Sequence, residues 1–212
     1  MIKKLLDPLE LAGLAAAAEG EPCDSSSELL QVFGSDGKAI GLAPRLLCHR
    51  LGLLHKVVFC FVGGPDGRLL LQTRKGGRLD VAVGGHLSSE DDSSEGAVLR
   101  EIREEIGLVL GLGRLSRVAE YQRLNADRLS KPREVINELR VLFSAALSEH
   151  ECQTMDSRFR GRQDKDRILA VQWFSLQQVV AACDADKAAD GLSASISHYL
   201  LWLKTHGLPS PP

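Results

Sequence analysis

The sequence predicts a mixed α/β (α+β) fold, an α/β/α sandwich on a mixed sheet. Three observations carry that expectation. The chain has 212 residues, a length that suits one domain with modest terminal additions. Hydrophobic residues make up 44% and charged residues 25%, enough apolar matter for a real core. Runs of β-branched and aromatic residues stand on both sides of one central helical segment, and another helical pattern comes late. The expected organisation is an N-terminal helix and linker over 1–27, a folded domain over 28–208 and a tail over 209–212.

Residues 1 to about 20 have a helical pattern that ends near Gly20, and 21–27 (EPCDSSS) read as a linker. Leu29–Phe33 and Ala39-Ile40 flank Gly34-Ser35-Asp36-Gly37, a hairpin signal with Asp-Gly in the turn. Pro44 to His55 fits a short helix or a loop. Lys56–Val62 and Arg68–Arg74 are strands around the turn at 63–67, and Asp80–Val83 is a further short strand. A helix is expected from about Ser93 to Ile106, closed by Gly107, with Asp92 and Glu95 at capping-box spacing. Ser116–Gln122 and Val135–Leu147 read as strands around a basic loop at 125–133. Asp156 to Arg167 reads as a charged loop and Ile168–Phe174 as a strand. Ser175 caps a helix to about Cys183, and Leu192–Thr205 forms the last helix.

Composition excludes some partners. Lys plus Arg is 26 and Asp plus Glu is 28, so the net charge of -2 argues against a scaffold for long nucleic acids. The 5 cysteines are scattered without a Cys-x-x-Cys, which favours a reducing, cytoplasmic setting over a disulfide framework. No apolar run approaches bilayer length, so no membrane partner is expected. Lys3 and Lys4 precede a Leu/Ala-rich stretch, but Asp7, Pro8 and Glu10 interrupt it, favouring an amphipathic helix over an export signal.

The segment Gly84 to Leu108, GGHLSSEDDSSEGAVLREIREEIGL, carries the chemistry. On a helix, Glu101, Glu104 and Glu105 fall at i, i+3 and i+4 on one stripe, beside an apolar stripe of Val98, Leu99, Ile102 and Ile106. Like charges at these spacings repel by roughly 0.2–0.5 kcal/mol per pair. A hard divalent cation, Mg²⁺ or Mn²⁺, would offset that repulsion, because several carboxylates without imidazole or thiolate are its preferred ligand set. A solvated acidic helix face is the other reading of three glutamates alone.

The wider spelling decides between them. Arg100-Glu101-Ile102-Arg103-Glu104-Glu105-Ile106-Gly107-Leu108 resembles the R-E-U-x-E-E-x-G-U core of the Nudix box, U being aliphatic, at all of its specified positions. Upstream, the family pattern opens G-x5-E-x7 before that Arg. Asp92 keeps the second spacing, with Asp for Glu, but lies one residue too far from Gly85; Asp91 keeps the first spacing and loses the second. The resemblance implies a Nudix-type α/β/α sandwich over 28–208 and hydrolysis of a nucleoside diphosphate linked to another group X. It implies Mg²⁺ or Mn²⁺ on Glu101, Glu104 and Glu105, with the Gly85 carbonyl as a further ligand candidate. Glu101 is also a candidate base, and Arg100 would orient it. Many members take another glutamate from outside the box as base or ligand; Glu138 is the first candidate, ahead of Glu120 and Glu134.

A narrower resemblance covers about the central half of the chain. Asp36–Gly41, Gly52–His55, Gly67–Arg74 and Asp80–His86 are similar to the isopentenyl-diphosphate-isomerase-like branch of the family. The isomerases' Cys/His-containing segment has no counterpart, since Lys75-Gly76-Gly77-Arg78-Leu79 contains neither residue. Hydrolysis is therefore expected ahead of isomerisation, and a non-catalytic Nudix-fold binding module is the third alternative. His55 and His86 flank the expected site, and His86 is a candidate for substrate phosphate or metal. Arg74, Lys75 and Arg78 are candidates for a cationic clamp on substrate phosphate. Trp173 reads as a core anchor rather than a stacking platform. The expected partner is a small diphosphate; its group X and the oligomeric state, a homodimer among the options, stay open.

Overall fold

The computed structural model describes residues 28–74, 76–125, 135–159 and 168–209. The expected N-terminal helix and linker, the basic loop at 126–134 and Lys75 lie outside them, as do residues 160–167 and 210–212. The described residues form two compact units: 28–57, 86–97 and 120–140 in one, 58–85, 98–119 and 141–209 in the other. Strands and helices mix in a single α+β arrangement of the expected class. Among the described residues, no helix is long and apolar enough to cross a membrane.

In the first unit, β1 (Leu29–Phe33) and β2 (Ala39–Pro44) pair antiparallel, from Leu29 opposite Pro44 to Val32 opposite Gly41. The turn between them closes with Gly37 at φ 74°, its N–H on the Gly34 carbonyl at 2.9 Å. Helix α1 (Arg45–Leu51) resolves the ambiguous stretch after Pro44. Its apolar face joins Leu47 and Cys48 to Leu30, Val32 and Ala43, all buried. Gly52 stops it in the left-handed conformation at φ 63°, where a side chain would also crowd Val135. The stop turns the chain so that His55, the first residue of β3 (His55–Gly63), pairs with Val32. The 88–91 loop is pinned to β1 by Gln31, whose Nε2 donates to the Ser88 and Asp91 carbonyls at 2.8 and 2.7 Å.

In the second unit, β4 (Leu69–Arg74) pairs antiparallel with β3 at Gly63 and Leu69 across the 63–67 turn. It also pairs along its length with β9 (Ile168–Phe174), and Leu71–Thr73 pair with β5 (Leu79–Val81). The single strand expected at 80–83 is thus two: the chain bends at Ala82, and β6 (Val83–His86) pairs with β3 instead. Trp173 is half-buried and packs over Gly64.

The central helix runs as α2 (Ser94–Glu101) and continues as a π-helical turn, Ile102–Ile106, ended by Gly107 at φ 71°. Ser93, not Asp92, caps it: its Oγ accepts the Gly96 N–H at 3.0 Å. Ala97, Val98, Ile102 and Ile106 are buried as its apolar stripe. Further along come β7 (Ser116–Asn125), β8 (Ile136–Ala146) and α3 (Glu149–Phe159). Helix α3 takes in the start of the segment expected to be a charged loop. Helix α4 (Leu176–Asp184) starts, as expected, at Ser175, with a reciprocal capping box to Gln178. The last expected helix is divided into α5 (Asp190–Ser193) and α6 (Ile196–His206). Ser195, fully buried between them, donates its hydroxyl to the Gly191 carbonyl at 2.6 Å. Tyr199 of α6 stacks on Phe61 of β3 with ring centroids 4.3 Å apart.

Candidate functional site

The box residues assemble within the second unit. Arg100 serves two carboxylates: its guanidinium donates to Glu101 Oε1 at 2.7 Å and to Glu104 Oε2 at 3.1 Å. Glu101 is nearly buried, at 9% exposure. Its carboxylate lies so close over Gly85 that a Cβ at position 85 would overlap it. Glycine there lets the carboxylate sit in this position, whether or not the Gly85 carbonyl serves as a ligand. Gly84 has a parallel constraint, since a Cβ would enter the Phe59 ring. Its N–H donates to Glu105 Oε2 at 2.8 Å. Burial pushes the Glu105 carboxyl up to about 8; Gly84 and Arg74 oppose the rise, and Glu101 and Asp80 add to it.

The three glutamates do not share one exposure. Glu101 is buried, Glu105 is intermediate and Glu104 is exposed. The even stripe expected from α-helical spacing is altered because the last turn is π-helical, closing with i→i+5 bonds that rotate successive side chains less. Near the box, Arg74 pairs with the buried Asp80 at 2.6 Å, and Arg78 pairs with Asp186 at 2.6 Å and donates to the Ala188 carbonyl. Of the three cations expected as a substrate clamp, Arg74 and Arg78 thus hold intrachain partners, and Lys75 lies outside the described residues.

The altered acidic position has a structural answer in the first unit. Asp91 is buried, and its Oδ2 accepts from the Ser88 N–H and hydroxyl, both at 2.9 Å. It ties the loop to itself, while Asp92 is exposed.

The first unit also gathers His49, His55, His86 and Glu138, with one donor atom from each lying within 4.8 Å of the others. Helix α1 supplies His49, β3 His55, β6 His86 and β8 Glu138. The His55 and His86 rings stack at 5.3 Å, with the His49 ring edge-on to both at 4.9 and 5.2 Å. His49 Nε2 is 3.1 Å from His86 Nε2. The Leu53 carbonyl, 2.7 Å from His55 Nδ1, can only accept, so that nitrogen carries the proton. His55 Nε2 is then left with an available lone pair; it is buried and has no hydrogen-bond partner.

Burial lowers the His55 pKa, and burial with Arg45, His55 and His49 nearby takes His86 well below the ordinary imidazole range. Imidazoles beside a carboxylate are a donor set for a transition-metal dication. Sequence reasoning had weighed His55, His86 and Glu138 separately and missed His49. Its signal was weak, because only the Gly52 turn brings α1 back beside His55.

A box helix whose arginine holds two glutamates, behind a glycine that seats one of them, defines a Nudix-type protein. The chain belongs to the Nudix family: the model of the NUDIX domain matches residues 53–195. It is 32% identical over 89 residues to an uncharacterized Nudix hydrolase of Streptomyces coelicolor, covering 39% of this chain and 49% of that protein. It is 34% identical over 91 residues to an isopentenyl-diphosphate Delta-isomerase of Clavibacter sepedonicus, covering 40% of this chain and 47% of that one. The chain thus spans about half the length of the curated relatives it matches. A crystal structure from Deinococcus radiodurans shares the fold at TM-score 0.56 and 20% identity, covering 80% of this chain and 97% of that one.

Proposed function

We propose that the protein is a metal-dependent hydrolase of a small diphosphate linked to a group X. The observation that carries this reading is the Arg100–Glu101–Glu104 arrangement over Gly85, a pre-oriented box core. Glu101, Glu104 and Glu105 would hold Mg²⁺ or Mn²⁺. When bound, the ion neutralises diphosphate oxygens and makes water acidic enough to attack phosphorus. Arg100 fixes Glu101 in orientation, and Glu101 takes the water's proton. The Gly84 N–H fixes the Glu105 carboxylate. The imidazoles and Glu138 suit a softer dication such as Mn²⁺, Co²⁺ or Zn²⁺ as a second ion, and the orphaned, buried Nε2 of His55 fits such a ligand.

Isomerisation of a diphosphate is the second reading, favoured by the matches to the Clavibacter isomerases. The test is formation of the two phosphomonoester products from a panel of diphosphates with Mg²⁺ or Mn²⁺, read as inorganic phosphate after phosphatase treatment. Wild type should turn over at least one, and Glu104→Gln should lose at least 10-fold in kcat, on the order expected for one electrostatic group at a reacting centre. Turnover of none at any metal concentration, with isomerisation of an allylic diphosphate, would favour the second reading. Full activity of Glu104→Gln would remove Glu104 from the site.

A further inference from the structure

Glu138 and Arg140 are two residues apart on β8 and project from the same face of the strand. Both are buried, at 7% and 2% exposure. A guanidinium fork commonly spreads over both oxygens of a carboxylate. Here Nε and a terminal nitrogen of Arg140 both reach the same oxygen, Glu138 Oε2, each at 2.8 Å. The guanidinium thus holds through Oε2 a carboxylate that has one donor atom within 4.8 Å of those of His49, His55 and His86.

We infer that Arg140 is a positioning residue for a divalent transition-metal ion at His49, His55, His86 and Glu138, holding the Glu138 carboxylate in place among the imidazoles. The inference rests on the metal reading of that cluster given above. One physical consequence supports it. A carboxylate on a buried strand has two torsions to fix beyond χ1, and a two-donor contact on one oxygen fixes both.

Binding of Co²⁺ to the full-length protein tests this, followed by calorimetry and by visible absorption, which reports imidazole ligation without requiring turnover. His55→Gln should abolish the Co²⁺ spectrum. Arg140→Gln should weaken Co²⁺ binding about 10–100-fold, the usual cost of removing a group that orients a ligand. Arg140→Lys, which keeps the charge but not the fork, should recover part of that loss. Because Arg140→Gln strands a buried carboxylate and Glu138→Gln a buried guanidinium, the cycle is closed with Glu138→Gln/Arg140→Gln, which strands neither charge. The double variant should bind Co²⁺ as Glu138→Gln does. Wild-type affinity in Arg140→Gln, or a further loss in the double variant, overturns the role of Arg140. A wild-type protein without a His55-dependent Co²⁺ spectrum overturns the metal reading beneath it.

Discussion

Glu105 is a carboxylic acid placed where a charge is costly. Its ordinary value of 4.5 is raised to about 8, chiefly by burial. The unfolded chain ionises this group above its ordinary value, while the folded, metal-free protein resists until the raised one. Stability is therefore highest below 4.5 and is lost as pH rises from there to about 8. Chelator-treated wild type and Glu105→Gln, compared by urea denaturation across that window, should diverge, with the variant gaining relative stability as pH rises. Parallel curves would mean that Glu105 is solvated. The identity of this residue was legible in the box spelling, but its burial was not. Burial depends on the π-helical turn and on the backbone at Gly84, neither of which leaves a mark in residue spacing. His49 teaches the same lesson in reverse: a lone histidine on a short helix gains meaning only from what the Gly52 turn brings beside it.

Capping chemistry decides which elements could be read in advance. Ser175 and Gln178 announced α4, and the reciprocal bonds are present. Ser148 and Glu151 carry the same signature at the start of α3: the Ser148 N–H donates to Glu151 Oε2 at 2.8 Å, and the Glu151 N–H to Ser148 Oγ at 3.3 Å. That signal was available but was outweighed by the polarity of the residues after it. Helix α3 gains support from outside itself, because Arg114 grips Glu151 through both guanidinium ends at 2.9 and 3.0 Å. This long-range contact holds the Glu151 pKa down to about 2 and lies beyond local pattern. Ser175→Ala removes one cap without touching the box. It should lower unfolding free energy by about 1 kcal/mol in denaturant titration while leaving hydrolysis unchanged.

For the molecule as a whole, the fold class was legible because strand patterns, turn glycines and the box helix point the same way. The divided final helix and the bend at Ala82 were not, since both answer to tertiary contacts. The net charge of -2 also takes on a different meaning. It arises from cations and acids matched pair by pair, as in Arg74 with Asp80 and Arg114 with Glu151, rather than from separate opposite patches. The box glutamates are the exception, with one arginine between two carboxylates, and there a dication should stabilise the fold. Mn²⁺ at 100 times its dissociation constant should add about 2.7 kcal/mol by mass action. Thermal unfolding with chelator and with Mn²⁺ measures this, and Glu104→Gln should shrink the difference. The glycine under Glu101 carries a genetic consequence. A missense change at codon 85 puts a side chain where the Glu101 carboxylate now sits, so it can be kept only together with a shift of that carboxylate.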